Sequence, residues 1–170
     1  MLSERTGRSG RTVKVVVADD EPLIRAGIRM ILNSDPDIHV VAEAANGREA
    51  VDAARAHAAD VVLLDIQMPV LDGLSALPEL RRAAPAARVI VLTTFGEREN
   101  VLRALEHGSA GFLLKDTAPA ELIGAVRAAA AGDAVRPRRA VLAHIRSFLE
   151  RAFAAYPLEG LAGSSPRDSV

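Results

Sequence analysis

Five residues in this sequence have side chains that could do chemistry together, and each closes or follows a short apolar run. Asp19 and Asp20 follow VKVVVA, Asp65 follows VVLL, Thr93 closes RVIVLT and Lys115 follows GFLL. Carboxylates brought close together repel and resist joint ionisation. A hard divalent cation such as Mg²⁺ relieves this, because it takes two or three carboxylates and a backbone carbonyl while keeping several waters. Lys115 adds a positive point charge and Thr93 a hydroxyl donor. Such a set suits a phosphoryl group in transfer: metal and ammonium balance the charge on the equatorial oxygens while one carboxylate attacks in line. Asp65 is the candidate nucleophile, and its product would be an aspartyl phosphate. Each residue also has a plain structural explanation. Asp65 could end a strand or cap the next helix, Asp19 and Asp20 could cap the first helix, Thr93 could fill a strand and Lys115 could be solvated. Taken together, such explanations at one strand end after another are improbable. Lysine is also spared elsewhere: Lys14 and Lys115 are the only two, against nineteen Arg.

These residues converge only if the apolar runs are parallel strands of one sheet. Val13–Ala18 is β-branched and reads as a strand. Pro22 suits a first helical turn, and Leu23, Ile24, Ile28, Ile31 and Leu32 recur at helical spacing until Asn33, Ser34, Asp35 and Pro36 stop them. His39–Ala44 is a second strand, Asn46-Gly47 a turn and Arg48–Ala58 an Ala-rich helix. Val61–Leu64 is a third strand, buried on both faces, with Asp65 at its carboxyl end. Met68-Pro69 and Asp72-Gly73 predict a loop. Leu74–Ala84 predicts a helix that Pro78 should kink or whose start it should shift. Arg88–Thr93, Glu97–His107, Gly111–Leu114 and Glu121–Ala131 continue the alternation, with Gly108 the expected stop for the fourth helix. Five strands alternating with five helices predict an α/β, doubly wound parallel sheet with helices on both faces. Right-handed crossovers put all strand C-termini at one edge, where open sheets of this class place their chemistry.

At 170 residues the chain predicts one domain plus an appendage, and 49% hydrophobic residues are enough for a core that 3% aromatics make aliphatic. A net charge of −1 draws the chain to neither nucleic acid nor membrane, and the lack of Cys excludes disulfides and thiolate metal sites. No apolar run is long enough to span a membrane, and the polar first twelve residues read as a disordered cytoplasmic lead-in rather than a secretion signal. The expected organisation is residues 1–12 as lead-in, 13–132 as the sheet domain, 133–156 as a linker with an amphipathic helix, and 157–170 as a flexible tail. That helix rests on Val141, Leu142, Ile145, Phe148, Leu149 and Phe153. Residues 133–170 hold six Arg against four acids, too mild a balance for DNA binding.

The segments VVVADDEP, LLDIQMPVLDG, VIVLTT and GSAGFLLKD together resemble the receiver domain of bacterial response regulators, from about Val13 to Gly132. ADDxPLxRxG and GFLLKDT resemble its NarL/FixJ subfamily. The resemblance implies a flavodoxin-like fold with strand order 2-1-3-4-5. It implies that Asp65 accepts phosphate from a sensor histidine kinase, with self-catalysed phosphorylation and slow autodephosphorylation rather than enzymatic turnover. Asp20 and Asp65 would bind Mg²⁺ directly, Asp19 mainly through water, and the backbone carbonyl of Gln67 would complete the protein ligands. Thr93 and Lys115 would hold the phosphoryl oxygens. Phe112 matches an aromatic switch position, often Tyr, so here switching would rest on packing. The implied output is a phosphorylation-controlled homodimer through Glu97–His107, Gly111–Leu114 and Glu121–Ala131, and transcription regulation in a full-length protein.

The sequence departs from the pattern in three places. Asp116 follows Lys115 where many receivers have Pro, so no cis peptide is expected there. Phe95, two residues after Thr93, is bulky where hydrolytic water approaches. The subfamily usually continues into a helix-turn-helix domain, and no such pattern follows Gly132; DNA would be reached only through that domain. Two other functions fit the residues less well. A receiver acting by partner or ligand binding without phosphate would tolerate loss of Asp65. A phosphatase of the haloacid-dehalogenase type would need a second Asp where Gln67 stands.

Overall fold

A computed structural model describes residues 11–93 and 98–131, so the expectations for residues 1–10 and 133–170, and for Phe95, lie outside the described residues. In chain order the elements are β1 (Val13–Ala18), α1 (Pro22–Asn33), β2 (Ile38–Ala44), α2 (Gly47–Ala56), β3 (Val61–Asp65), α3 (Gly73–Ala83), β4 (Arg88–Thr93), α4 (Arg98–Glu106), β5 (Gly111–Leu114) and α5 (Pro119–Ala130). The strands form one parallel sheet in the order β2-β1-β3-β4-β5, as expected.

The element starts follow local chemistry. Pro22 and Pro119 occupy the first turns of α1 and α5, where the missing amide costs nothing; α5 therefore begins two residues before the expected Glu121. Asn46 is not part of a free turn. Its side chain accepts from the Glu49 amide at 2.9 Å while Glu49 Oε2 accepts from the Ala45 amide at 2.8 Å, so α2 starts at Gly47. Likewise Asp72 caps α3 by accepting from the Ser75 amide at 2.8 Å, and Gly73 is the first helical residue rather than loop. α3 starts at Gly73 and contains Pro78, so its start is not shifted to the proline. Leu77 and Leu80, both fully buried, anchor the helix on either side of it. Burial of each contributes about 1.5–3 kcal/mol, which offsets the hydrogen bond that proline removes.

β1 and β3 lie side by side in the sheet, and the side chains of Val15, Val16, Val17, Val61, Val62, Leu63 and Leu64 are inaccessible on both faces. One face packs Val15, Val17, Leu63, Ile90 and Leu92 against Ile28 and Leu32 of α1 and Leu122 and Val126 of α5. In the β1–β2 pair Val15 faces Val40 but Val16 faces Ala42, so Val41 is an extra residue in β2. The register of β1 and β3 ends with Ala18 opposite Leu64, which brings the next residues, Asp19 and Asp65, to neighbouring positions on the C-terminal edge. Between these two strands the sheet order reverses, the place where open α/β sheets form their crevice.

Candidate functional site

Asp65 is the last residue of β3 and only 3% exposed, and Asp19, just past β1, is fully buried. Neither caps a helix. The cap of α3 is Asp72, and α1 has no side-chain cap. Each carboxylate instead folds back on its own loop: Asp19 Oδ1 accepts from the Glu21 amide at 2.8 Å, and Asp65 Oδ1 from the Gln67 amide at 3.1 Å. Their other oxygens point to one cation. Lys115 Nζ lies 2.9 Å from Asp19 Oδ2, 3.1 Å from Asp65 Oδ2 and 3.5 Å from Glu21 Oε1. The contact with Asp19 is an ion pair without the alignment of a hydrogen bond. Lys115 is held there from its own backbone, whose amide donates to the Thr93 carbonyl at 3.0 Å beyond the end of the β4–β5 ladder.

Burial is the main influence on Asp65, and it pushes the carboxyl up to about 6. The Lys115 ammonium opposes the rise, and the neighbouring Asp19 charge adds to it. Burial alone would lower Lys115, but the carboxylates of Asp19 and Asp65 more than offset it and hold the ammonium charged. A desolvated, more basic carboxylate is a better nucleophile once ionised, and the adjacent ammonium keeps it so near neutrality.

Asp20 is exposed, and its carboxylate clusters with those of Asp19 and Glu21, with oxygens all within 4.8 Å of one another. Glu21 was not among the expected ligands, although it completes the acidic run at that strand end. Gln67 is exposed beside the same crevice. With Asp20, Met68, Asn100 and Arg103 it lines a recess of about 570 Å³. A larger recess, about 730 Å³, lies by Lys14 and His39 at the opposite end of β1 and β2, far from these carboxylates. Thr93 is buried at the end of β4. Phe112, 7% exposed, pairs in register with Val91, so by strand alternation Thr93 and Phe112 share one face of the sheet on adjacent strands.

The family model described as response regulator receiver domain matches residues 15–127. The chain belongs to this family. The Bacillus subtilis protein named uncharacterized transcriptional regulatory protein YxjL is 42% identical over 123 residues, which is 72% of this chain and 56% of that protein. The Escherichia coli nitrate/nitrite response regulator NarL is 38% identical over 121 residues, 71% of this chain and 56% of its own length. The chain thus spans about half the length of these relatives. Among solved structures, the receiver domain of a response regulator NarL from Mycobacterium tuberculosis superposes with a TM-score of 0.68 at 39% identity, covering 72% of this chain and 98% of that one.

Two features of this receiver escaped the sequence reading. Gly73 approaches Asp65 so closely that a Cβ on it would lie 2.1 Å from the Asp65 carbonyl oxygen. The Asp-Gly pair was visible, but it read as a loop signal rather than as a need for contact. Val70 has φ +67°, and the Leu71 amide donates to the Pro69 carbonyl at 2.7 Å, a tight turn unusual for a β-branched residue. No local signal announces it. The expected trans peptide at Asp116 agrees with the structure, in which no described peptide bond is cis.

Proposed function

We propose that this receiver accepts a phosphoryl group on Asp65 from the phosphohistidine of a sensor histidine kinase. Asp65 attacks phosphorus, the P–N bond breaks, a P–O bond to the carboxylate forms, and the electron pair leaves on the imidazole. The observation that carries the reading is Lys115 Nζ within 3.1 Å of both buried carboxylates, a cation placed where transferred phosphoryl oxygens need one.

The donor set fits Mg²⁺. It is all oxygen, it is anionic, and the mutual closeness of the Asp19, Asp20 and Glu21 carboxylates is a repulsion that a divalent ion relieves. Asp20 and Asp65 would hold the ion with the Gln67 carbonyl, and Asp19 would act mainly through water. When bound, the ion supplies charge balance for the phosphoryl oxygens.

Thr93 would turn its hydroxyl toward the acyl phosphate, and the Phe112 ring, on the same face, would repack behind it. That exchange favours a homodimer through α4, β5 and α5, and transcriptional output in the full-length protein, with DNA contacted only by a further domain. Phosphate must interact differently with the two states for this to work. The reading places the protein in the cytoplasm; among the described residues no helix is long and apolar enough to cross a membrane.

The test is incubation with acetyl phosphate and Mg²⁺, read by intact mass, with beryllofluoride and amide exchange for the switch. Gain of one phosphoryl group in the wild type and none in Asp65→Asn is expected, together with changed exchange in α4, β5 and α5. No mass gain and no exchange response would refute the reading.

A further inference from the structure

The arginine in ADDxPLxRxG has no part in the phosphoryl chemistry above, yet it reaches the acidic loop. Arg25 lies one turn into α1 and its side chain is 18% exposed. Its Nη1 donates to the main-chain carbonyl of Asp19 at 2.6 Å, and its Nε sits 3.5 Å from Glu43 Oε1 near the end of β2. Glu43 Oε2 in turn accepts from Arg29 Nη1 at 2.8 Å. On its other side Asp19 donates its amide to the Ala44 carbonyl at 3.0 Å.

The backbone of Asp19 is therefore fixed on both sides of its Cα, by β2 through its amide and by Arg25 through its carbonyl. That carbonyl belongs to the peptide leading into Asp20. Asp20 is exposed, and its carboxylate has no hydrogen-bond or ion-pair partner among the described residues. Its aim is thus set by backbone direction rather than by contacts of its own. We propose that Arg25 is a positioning residue for the metal-binding loop: by holding the Asp19 carbonyl against the Glu43 anchor, it sets the direction in which Asp19 and Asp20 present their carboxylates. The inference rests on the reading that these carboxylates bind Mg²⁺. The planar guanidinium donates to the Asp19 carbonyl through one arm while its Nε stays in ion-pair range of Glu43 without a hydrogen bond; an ammonium in the same place lacks that fork.

Calorimetric titration of the 170-residue chain with Mg²⁺ tests this. Groups that orient metal ligands typically change metal affinity by 10–100-fold, so Arg25→Lys, which keeps the charge, is expected to weaken Mg²⁺ binding about tenfold. Arg25→Met separates positioning from charge. Relief of Coulomb repulsion alone would tighten binding when a cation beside the site is removed, whereas loss of positioning weakens it. Glu43→Gln, which leaves Arg25 in place without its anchor, should weaken binding to a smaller degree and keeps the test sound if an Arg25 variant does not fold. Asp19 and Asp20 amide shifts in NMR spectra should move in all three variants without Mg²⁺ present. Wild-type binding that Asp20→Asn abolishes, with Arg25→Lys and Glu43→Gln both within about twofold of wild type, would overturn the role of Arg25 alone. Absence of Mg²⁺ binding in the wild type would overturn the metal reading and this inference with it.

Discussion

Gly73 lies against the backbone of Asp65: its amide donates to the Ile66 carbonyl at 2.9 Å, and a Cβ would stand 2.1 Å from the Asp65 carbonyl oxygen. The listener on the other side of this contact is backbone, which cannot swing away as a flexible side chain can. Gly73→Ala must push α3 and the end of β3 apart. The expected cost is about 1–3 kcal/mol of stability, by analogy with overpacking in a core. A fall in the urea midpoint should accompany slower phosphorylation by acetyl phosphate, because Asp65 moves with its carbonyl.

The raised Asp65 carboxyl makes a stability prediction with a definite sign. Its proton affinity is higher folded, at about 6, than the ordinary 3.8, so the native state binds the extra proton between these values. Stability from this group is thus fully present below about pH 4 and lost as pH rises to about 6. Asp65→Asn removes the penalty and should stabilise the metal-free protein at pH 7 by up to about 3 kcal/mol. Urea denaturation at pH 5 and pH 7 without divalent ions measures it: the gain from the substitution should shrink at the lower pH.

Lys115 compensates two buried carboxylates at once. Lys115→Met leaves Asp19 and Asp65 together without their cation, and breaking a buried pair in this way typically costs about 3–5 kcal/mol. The loss should be partly recovered on lowering the pH, as Asp65 takes up a proton, and by added Mg²⁺. Phosphoryl uptake by Lys115→Met should fall at least about tenfold even where the variant is folded, since removal of one such electrostatic group commonly costs more. Fold retention is read by circular dichroism and uptake by mass.

Arg81, in the last turn of α3, holds the far end of α4. Its Nη1 donates to the His107 carbonyl at 3.3 Å, and the guanidinium occupies the space a Cβ on Gly108 would need, with Nη1 at 2.7 Å from that position. Gly108 has φ +85°, so it is suited to end the helix in two ways. A cation at a helix C-terminus contributes about 0.3–1 kcal/mol. Arg81→Ala should therefore leave global stability nearly unchanged while speeding amide exchange in α4. Exchange in α4 equal to wild type would show that the contact does not restrain the helix.

The strands and their order of use were legible in the sequence because each is a local signal. Four apolar residues followed by a charge, as at Val61–Asp65, read as a buried strand that ends on a carboxylate. The handedness of crossovers then forces those ends to one edge. Asp19, Asp65, Thr93 and Lys115 were found this way, without knowing any distance. Element starts were less legible where one residue serves two purposes. Asp72-Gly73 reads as a turn by composition, but Asp72 caps a helix and Gly73 is its first residue, because α3 begins directly against β3.

What tertiary structure alone decided is how groups distant in the chain meet. That Lys115 Nζ falls between Asp19 and Asp65 depends on the register of four strands, β1, β3, β4 and β5, which no local pattern encodes. The rise in the Asp65 carboxyl depends on how much water those neighbours exclude. Arg25 looks like one surface arginine among nineteen until α1 packs beside the end of β2 and brings its guanidinium to the Asp19 carbonyl and Glu43. Residue types state which chemistry is available. Packing determines which side chains lose their water and which partner replaces it, and those two quantities set the charge, aim and reactivity of Asp65.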